Sequence, residues 1–198
     1  MAGSTNALAV AAVNGPAPPA NGAVFVARSQ TAGRGQGANT WHASPGRNIS
    51  LSVVAYPGHL PLGRLFALNQ VVALAVARTL RALLPPELRT GVLVKYPNDV
   101  YVNDRKIAGI LIQNGLRGSR LAWSVIGIGL NVNENDFPET LRATATSLRQ
   151  LTGPTRRERS RRSCESRASA GEGGQGGSSA SRSVACMGAR WGEVVNAR

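Results

Sequence analysis

The sequence predicts an α+β fold: a mixed β-sheet with helices packed mainly on one face, followed by a tail of different character. Three observations predict it. Several short runs alternate or concentrate β-branched residues, at 23–29, 48–56, 92–96, 100–102, 106–113 and 121–132. One long stretch, Leu62 to Leu84, repeats apolar residues at helical spacing instead. Pro/Gly/Asn/Asp clusters separate these runs, as turns require.

Ser4 or Thr5 is placed to cap a helix reaching about Val13, and the Pro/Gly-rich residues 14–22 then form a loop. In 23–29, Val24 and Val26 against Phe25 predict a strand buried on both faces. In 48–56, Ile49, Leu51 and Val53 fall on one face of a second strand and the serines on the other. Pro61 stands where a helix starts, and Pro85-Pro86 ends it. Leu62, Leu65, Phe66, Val72, Val76, Leu80 and Leu83 form its predicted core stripe. Each such side chain, once buried, contributes about 1.5–3 kcal/mol before entropy. Asn103-Asp104 predicts a tight turn that puts Lys106 at a strand start facing a pocket, with Gly109 clearing space. Residues 115–118 read as a further turn, and Thr146–Leu151 as a short helix.

The 198 residues suit one domain with an appendage, and 42% apolar content allows a core. Net charge is +13, shared unevenly. Residues 1–153 hold 14 Arg/Lys and 6 Asp/Glu, and residues 154–198 hold 9 and 4. Such a surplus suits nucleic acid, ATP or an acidic protein partner alike. Residues 154–198 are dominated by Arg, Ser and Gly without apolar periodicity, which predicts disorder. Both cysteines, Cys164 and Cys186, fall there, with neither a disulfide framework nor zinc spacing. The longest apolar run, Val71–Ala77, is too short to span a membrane. No targeting segment is visible, so a cytoplasmic location is expected, with a plastid or other organelle as the alternative.

The chemistry concentrates in Gln30-Thr31-Ala32-Gly33-Arg34-Gly35-Gln36-Gly37-Ala38-Asn39-Thr40-Trp41. Glycines at alternate positions allow backbone N–H groups to turn toward an anion, and Arg34 adds a planar cationic fork. The same composition also serves a flexible hairpin loop with a solvated arginine. The loop fits neither the P-loop nor the dinucleotide fingerprint. Lys95-Tyr96-Pro97-Asn98-Asp99, Arg105-Lys106-Ile107-Ala108-Gly109-Ile110 and Ile126-Gly127-Ile128-Gly129-Leu130-Asn131 complete the set. Pro-Asn-Asp by itself is also an ordinary turn sequence.

In this order and spacing, the blocks resemble the catalytic domain of biotin–protein ligases across roughly Ser4 to Gly153. The resemblance implies a fold like class II aminoacyl-tRNA synthetases and biotin synthetase. It implies an enzyme that activates biotin with ATP and Mg²⁺ as an acyl adenylate. A lysine of a biotin carboxyl carrier domain then receives the biotin. By resemblance, Ser4, Thr5, Asn6, Gln30, Gly33, Arg34, Lys106, Gly109 and Gly127 bind biotin. Gly33, Arg34, Gly35, Gln36, Trp41, Lys95, Asn98, Lys106 and Asn131 contact the nucleotide. Arg34, Lys106, Asn98 and Asp99 carry the chemistry, with Asp99 the candidate metal ligand. Lipoate–protein ligase, which shares the fold and the adenylation logic, is the neighbouring alternative. A truncated regulatory form whose basic tail binds nucleic acid is another, though no aromatics interleave with the tail's charges.

Four departures from the family pattern stand out. Gln36 replaces a second arginine, and Tyr96 replaces the commoner tryptophan. Only three residues precede Ser4, where the family has a strand. The family's C-terminal barrel is not recognisable in 154–198. No Cys or Ser–His pair occupies the core, in keeping with chemistry that needs no covalent enzyme intermediate. His42 and His59 read as solvated loop residues.

Overall fold

In a computed structural model of the chain, residues 2–153 are described; the predicted disorder of the tail and its two cysteines lie outside them. Among these described residues, six strands make one sheet in the order β1-β2-β6-β5-β4-β3. They are β1 (Val24–Ala27), β2 (Ile49–Ala55), β3 (Val92–Lys95), β4 (Asp99–Val102), β5 (Arg105–Arg117) and β6 (Arg120–Leu130). The α+β class holds, but every strand ladder is antiparallel rather than mixed. Among the described residues, the parallel component is confined to the isolated bridges Ala2–Gln30 and Lys106–Ala145. Short turns join β3 to β4, β4 to β5 and β5 to β6, and such hairpins can only produce antiparallel neighbours.

Among the described residues five α-helices flank the sheet: α1 (Thr5–Val13), α2 (Leu65–Leu83), α3 (Pro86–Arg89), α4 (Glu139–Arg142) and α5 (Leu148–Thr152). Leu80 and Leu84 pack with Val92, Val100, Val102, Ile107, Ala108 and Leu130, and α3 and α5 add Leu88, Leu148 and Leu151 to that core. On the opposite face α1 packs Ala9 and Val13 on Val54 and Val125. Helices α2, α3 and α5 therefore share one face, and α1 packs on the other beside the candidate site.

Burial decides which face of β2 is covered, and it differs from the expected pattern in β1 and α2. In β2 the buried side is Ser50, Ser52 and Val54, while Ile49 is exposed. Alternation identifies two faces; α1 and its polar side chains decide which one is covered. In β1, Val24 and Val26 are exposed, because β1 is an edge strand covered on one side only. In α2 the buried seam is Ala73, Ala77 and Leu80, whereas Leu62, Phe66 and Leu83 of the expected stripe are exposed. Alanines let the helix approach the sheet closely and leave the larger side chains on its flanks. The segment Leu62–Leu83 is long and apolar enough to cross a bilayer by length and composition, although no apolar run in it is long; here its alanine seam lies on the sheet.

Asn103 and Asp104 do form the β4–β5 turn, with φ of 47° and 63°. The turn expected at 115–118 falls later. Gly115 lies within β5 opposite Trp123, where a Cβ would overlap the indole, and Gly118 (φ 60°) makes the reversal. Ser147 caps α5 by accepting from the Gln150 N–H.

The decisive irregularity is in β5. Val100 pairs with Ala108, but the next residue, Tyr101, pairs with Lys106. Ile107 is the extra residue of a β-bulge. In a regular strand Lys106 and Ala108 would share a face, and Ala108 points into the α2 core. The bulge turns Lys106 to the other face, toward α1.

Candidate active site

Gln30 and the two polar residues that open α1 build the first wall. Ser4 is the N-cap of α1, yet its side chain makes no capping bond. The Thr5 N–H instead donates to Gln30 Oε1 at 2.8 Å. Ser52 Oγ lies 2.8 Å from Thr5 Oγ1 and donates to Asn6 Oδ1 at 2.5 Å. Asn6 Nδ2 donates to the Leu111 carbonyl at 3.1 Å and to Gln113 Oε1 at 3.3 Å. Gly127 is required beneath it: a Cβ there would overlap the Asn6 amide. The buried serines of β2 thus anchor the α1 side chains.

The glycine loop is itself a small hairpin. Arg34 bridges Thr40 antiparallel, and the Gly35 and Trp41 N–H groups donate to the Asn39 and Gly33 carbonyls at 2.8 and 3.0 Å. The expectation that alternate glycines aim N–H groups at an anion therefore fails for Gly35. Gly33 and Gly35 are there for closeness: a Cβ on Gly33 would overlap the Trp41 carbonyl, and one on Gly35 would lie 3.2 Å from Asn39. Gly37 alone of the three has positive φ, 63°, at the hairpin tip. Beyond the hairpin the Trp41 ring lies on bare backbone at Gly129 and Gly109, where side chains would overlap or crowd it. Its Nε1 is buried without a partner.

Lys106 builds the facing wall. Its N–H donates to the Thr144 carbonyl and its carbonyl accepts from the Thr146 N–H, at 2.8 and 2.9 Å. Nζ lies 2.7 Å from Asp99 Oδ1 and 5.8 Å from the Trp41 ring centroid. Asn98 Nδ2 donates to the Ile110 carbonyl at 2.5 Å, which fixes the residue before Asp99. Between the walls is a cavity of about 500 Å³.

Ser4, Thr5, Asn6, Gln30, Arg34, Gly35, Gln36, Trp41, Asn98, Asp99, Lys106, Gly109 and Gly127 all line that cavity. Three expected contacts do not. Gly33 acts behind Trp41. Lys95, at the end of edge strand β3, lies 5.0 Å over the Tyr101 ring. Asn131 is buried, with Nδ2 donating to the Thr146 carbonyl at 3.0 Å and Oδ1 unpaired. Conversely, His42 is on the wall, together with Thr140 and Leu141 of α4, for which the sequence carries no periodic signal.

Glu134 is the residue the sequence reading passed over. It is fully buried. Ser44 N–H and Asn48 Nδ2 donate to Oε2 at 2.9 and 2.8 Å, and Ser44 Oγ–H donates to Oε1 at 3.0 Å. Burial pushes its carboxyl pKa upward, but those bonds and the nearby His42 outweigh it and leave it lowered.

These walls define a site for bringing anions together: a lysine held by Asp99, an arginine on the facing loop, neutral amides and hydroxyls, and a flat aromatic ring around one hollow. Residues 4–131 match the family model described as the biotin/lipoate A/B protein ligase family, and the chain belongs to that family. It is 37% identical over 152 residues to the bifunctional ligase/repressor BirA of Bacillus spizizenii, covering 76% of this chain and 45% of that protein. It is 36% identical over 151 residues to the biotin–(acetyl-CoA-carboxylase) ligase of Mycobacterium tuberculosis, covering 75% and 53%. The chain spans about half the length of these relatives. Among solved structures, the biotin protein ligase of Aquifex aeolicus in complex with biotin and ATP matches with a TM-score of 0.63 and 29% identity, covering 79% of this chain and 61% of that one. The fold is accordingly the class II aminoacyl-tRNA synthetase-like fold of biotin protein ligases.

Proposed function

We propose that this chain joins biotin to ATP as biotinoyl-AMP, releasing pyrophosphate, and passes the acyl group to a lysine of a biotin carboxyl carrier domain. The observation that carries this reading is that Arg34 of the glycine loop and Lys106 of β5, 72 residues apart in sequence, line one cavity with Thr5, Asn6 and Gln30. The names of the relatives and the biotin- and ATP-bound neighbour support the same assignment.

The carboxylate of biotin must attack the α-phosphate of ATP, so two anions have to meet. Fixed cations at the meeting point offset their repulsion and stabilise charge in the transition state. Lys106 is suited to this because its backbone is held on both sides and Asp99 orients its ammonium. Arg34 supplies a second, permanent charge from the opposite wall. The α1 wall offers uncharged donors and acceptors, which suit a ureido ring. Trp41 offers a flat face for a purine.

ATP brings Mg²⁺, which neutralises phosphate charge when bound. Asp99 is the single carboxylate among the described lining residues, and one oxygen already faces Lys106. Among the described residues no group of three His, Cys, Asp or Glu could hold a metal. The set therefore fits an ion carried on the triphosphate, with Asp99 as its protein ligand, better than a resident one.

The test is exchange of labelled pyrophosphate into ATP with biotin, with lipoate, and with neither acid. Biotin-dependent exchange followed by labelling of a carrier domain is expected. Exchange driven by lipoate alone would overturn the substrate assignment.

A further inference from the structure

We propose that Glu134 is a positioning residue that sets the nucleotide side of the cavity and leaves the biotin side untouched. The proposal rests on the function proposed above and deepens it.

Glu134 straps three segments together. Its carboxylate takes three hydrogen bonds from Ser44 and Asn48, on the arm that follows Trp41. Two further bonds run alongside: Asn133 N–H to the Arg47 carbonyl at 2.9 Å, and Val132 N–H to Asn48 Oδ1 at 3.0 Å. On its other side the Glu134 carbonyl accepts from Ser147 Oγ at 2.5 Å. Ser147 directly follows the 144–146 segment that brackets the Lys106 backbone. One buried residue therefore joins the arm carrying Trp41 to the segment carrying Lys106.

The chemistry requires a carboxylate. Three donors converge on it, and an ionised carboxylate is acceptor-only. Glutamine of the same size can keep its oxygen for the Ser44 N–H and Asn48 Nδ2 only by turning its NH₂ to the Ser44 hydroxyl, which must then accept, and toward the Arg47 guanidinium 4.0 Å away. The reversed hydroxyl bond and the charge lost opposite Arg47 both act on the 42–48 arm, which carries all three partners. The α1 wall is held separately by Gln30 and Ser52, which do not touch Glu134. A purely structural residue would weaken both ends of the cavity alike.

Calorimetric titrations of the full chain and its Glu134→Gln variant decide this. One series uses biotin alone. The other uses α,β-methylene-ATP with Mg²⁺ at saturating biotin, so that no turnover occurs. The expected result is nucleotide affinity weakened about tenfold or more, with biotin affinity kept within about twofold. Equal weakening of both, or no change in either, would overturn the proposal. Should Glu134→Gln fail to fold by circular dichroism, Ser44→Ala removes one of the three bonds, and the same split must appear in smaller measure. A parent chain that binds neither ligand overturns the functional reading itself, and the positioning role with it.

Discussion

Lys106 Nζ lies 2.7 Å from Asp99 Oδ1 because Ile107 is one residue more than β4 can pair. Without that extra residue the ammonium would point into the apolar core under α2. The bulge puts a charged group on the face where Gly109 leaves room for it beside the Trp41 ring.

Lys106→Ala should lower biotin-dependent pyrophosphate exchange by about 10²–10³-fold, the scale for removing one preorganised charge donor from a transition state. Biotin binding by calorimetry should fall much less. Asp99→Asn keeps the lysine and loosens its aim, so a loss of about tenfold is expected. Exchange at the parent rate in Lys106→Ala would end the assignment of this lysine.

Gly127→Ala places a methyl group on the Asn6 amide. Overpacking of this kind costs about 1–3 kcal/mol, and the strain falls on the α1 wall. Thermal unfolding should shift downward, and biotin binding should weaken more than nucleotide binding. Unaltered biotin affinity would show that Asn6 lies outside the biotin contacts.

Gln36→Arg adds a charge to the cavity wall. Charge-assisted hydrogen bonds exceed neutral ones by about 1 kcal/mol or more. The variant should therefore release less free biotinoyl-AMP, and bystander amines should be labelled less than in the parent. Equal release from both chains would remove Gln36 from the adenylate contacts.

Glu134 predicts an acid limb to stability. Its carboxyl titrates below the ordinary 4.5 in the folded chain, so as pH falls the unfolded chain takes up the proton first. The contribution is whole above that ordinary value and drains away as pH drops through the lower folded one. Denaturant unfolding between about pH 6 and about pH 3 should show a steeper loss in the parent than in Glu134→Gln. Parallel slopes would contradict the ionised, hydrogen-bonded state of this carboxylate.

The strand runs and the Asn103-Asp104 turn were legible because alternation and turn chemistry are local. The residues gathered in the cavity were legible through the order of their motifs. What could not be read has physical causes. Alternation in β2 separates Ser50 and Ser52 from Leu51 and Val53 without saying which set faces a partner. The bulge leaves only the adjacent pair Ile107 and Ala108, which a regular strand also tolerates. Glu134 sits in Asn133-Glu134-Asn135-Asp136, where nothing separates the one buried acid from its solvated neighbours. Its three donors lie 86–90 residues away in sequence. Lys95 was drawn into the site by its motif, yet its position at the end of an edge strand places it over Tyr101.

The serine-and-glycine floor has a thermodynamic consequence. Where other sheets keep an oily layer, β2 and β6 here carry buried hydroxyls and bare peptide that hold the Asn6 and Trp41 walls, an arrangement only the folded chain offers a guest. A guest that fills the hollow completes the interior. Occupancy should therefore raise the melting temperature with the logarithm of guest concentration, and this half of the molecule should tighten first.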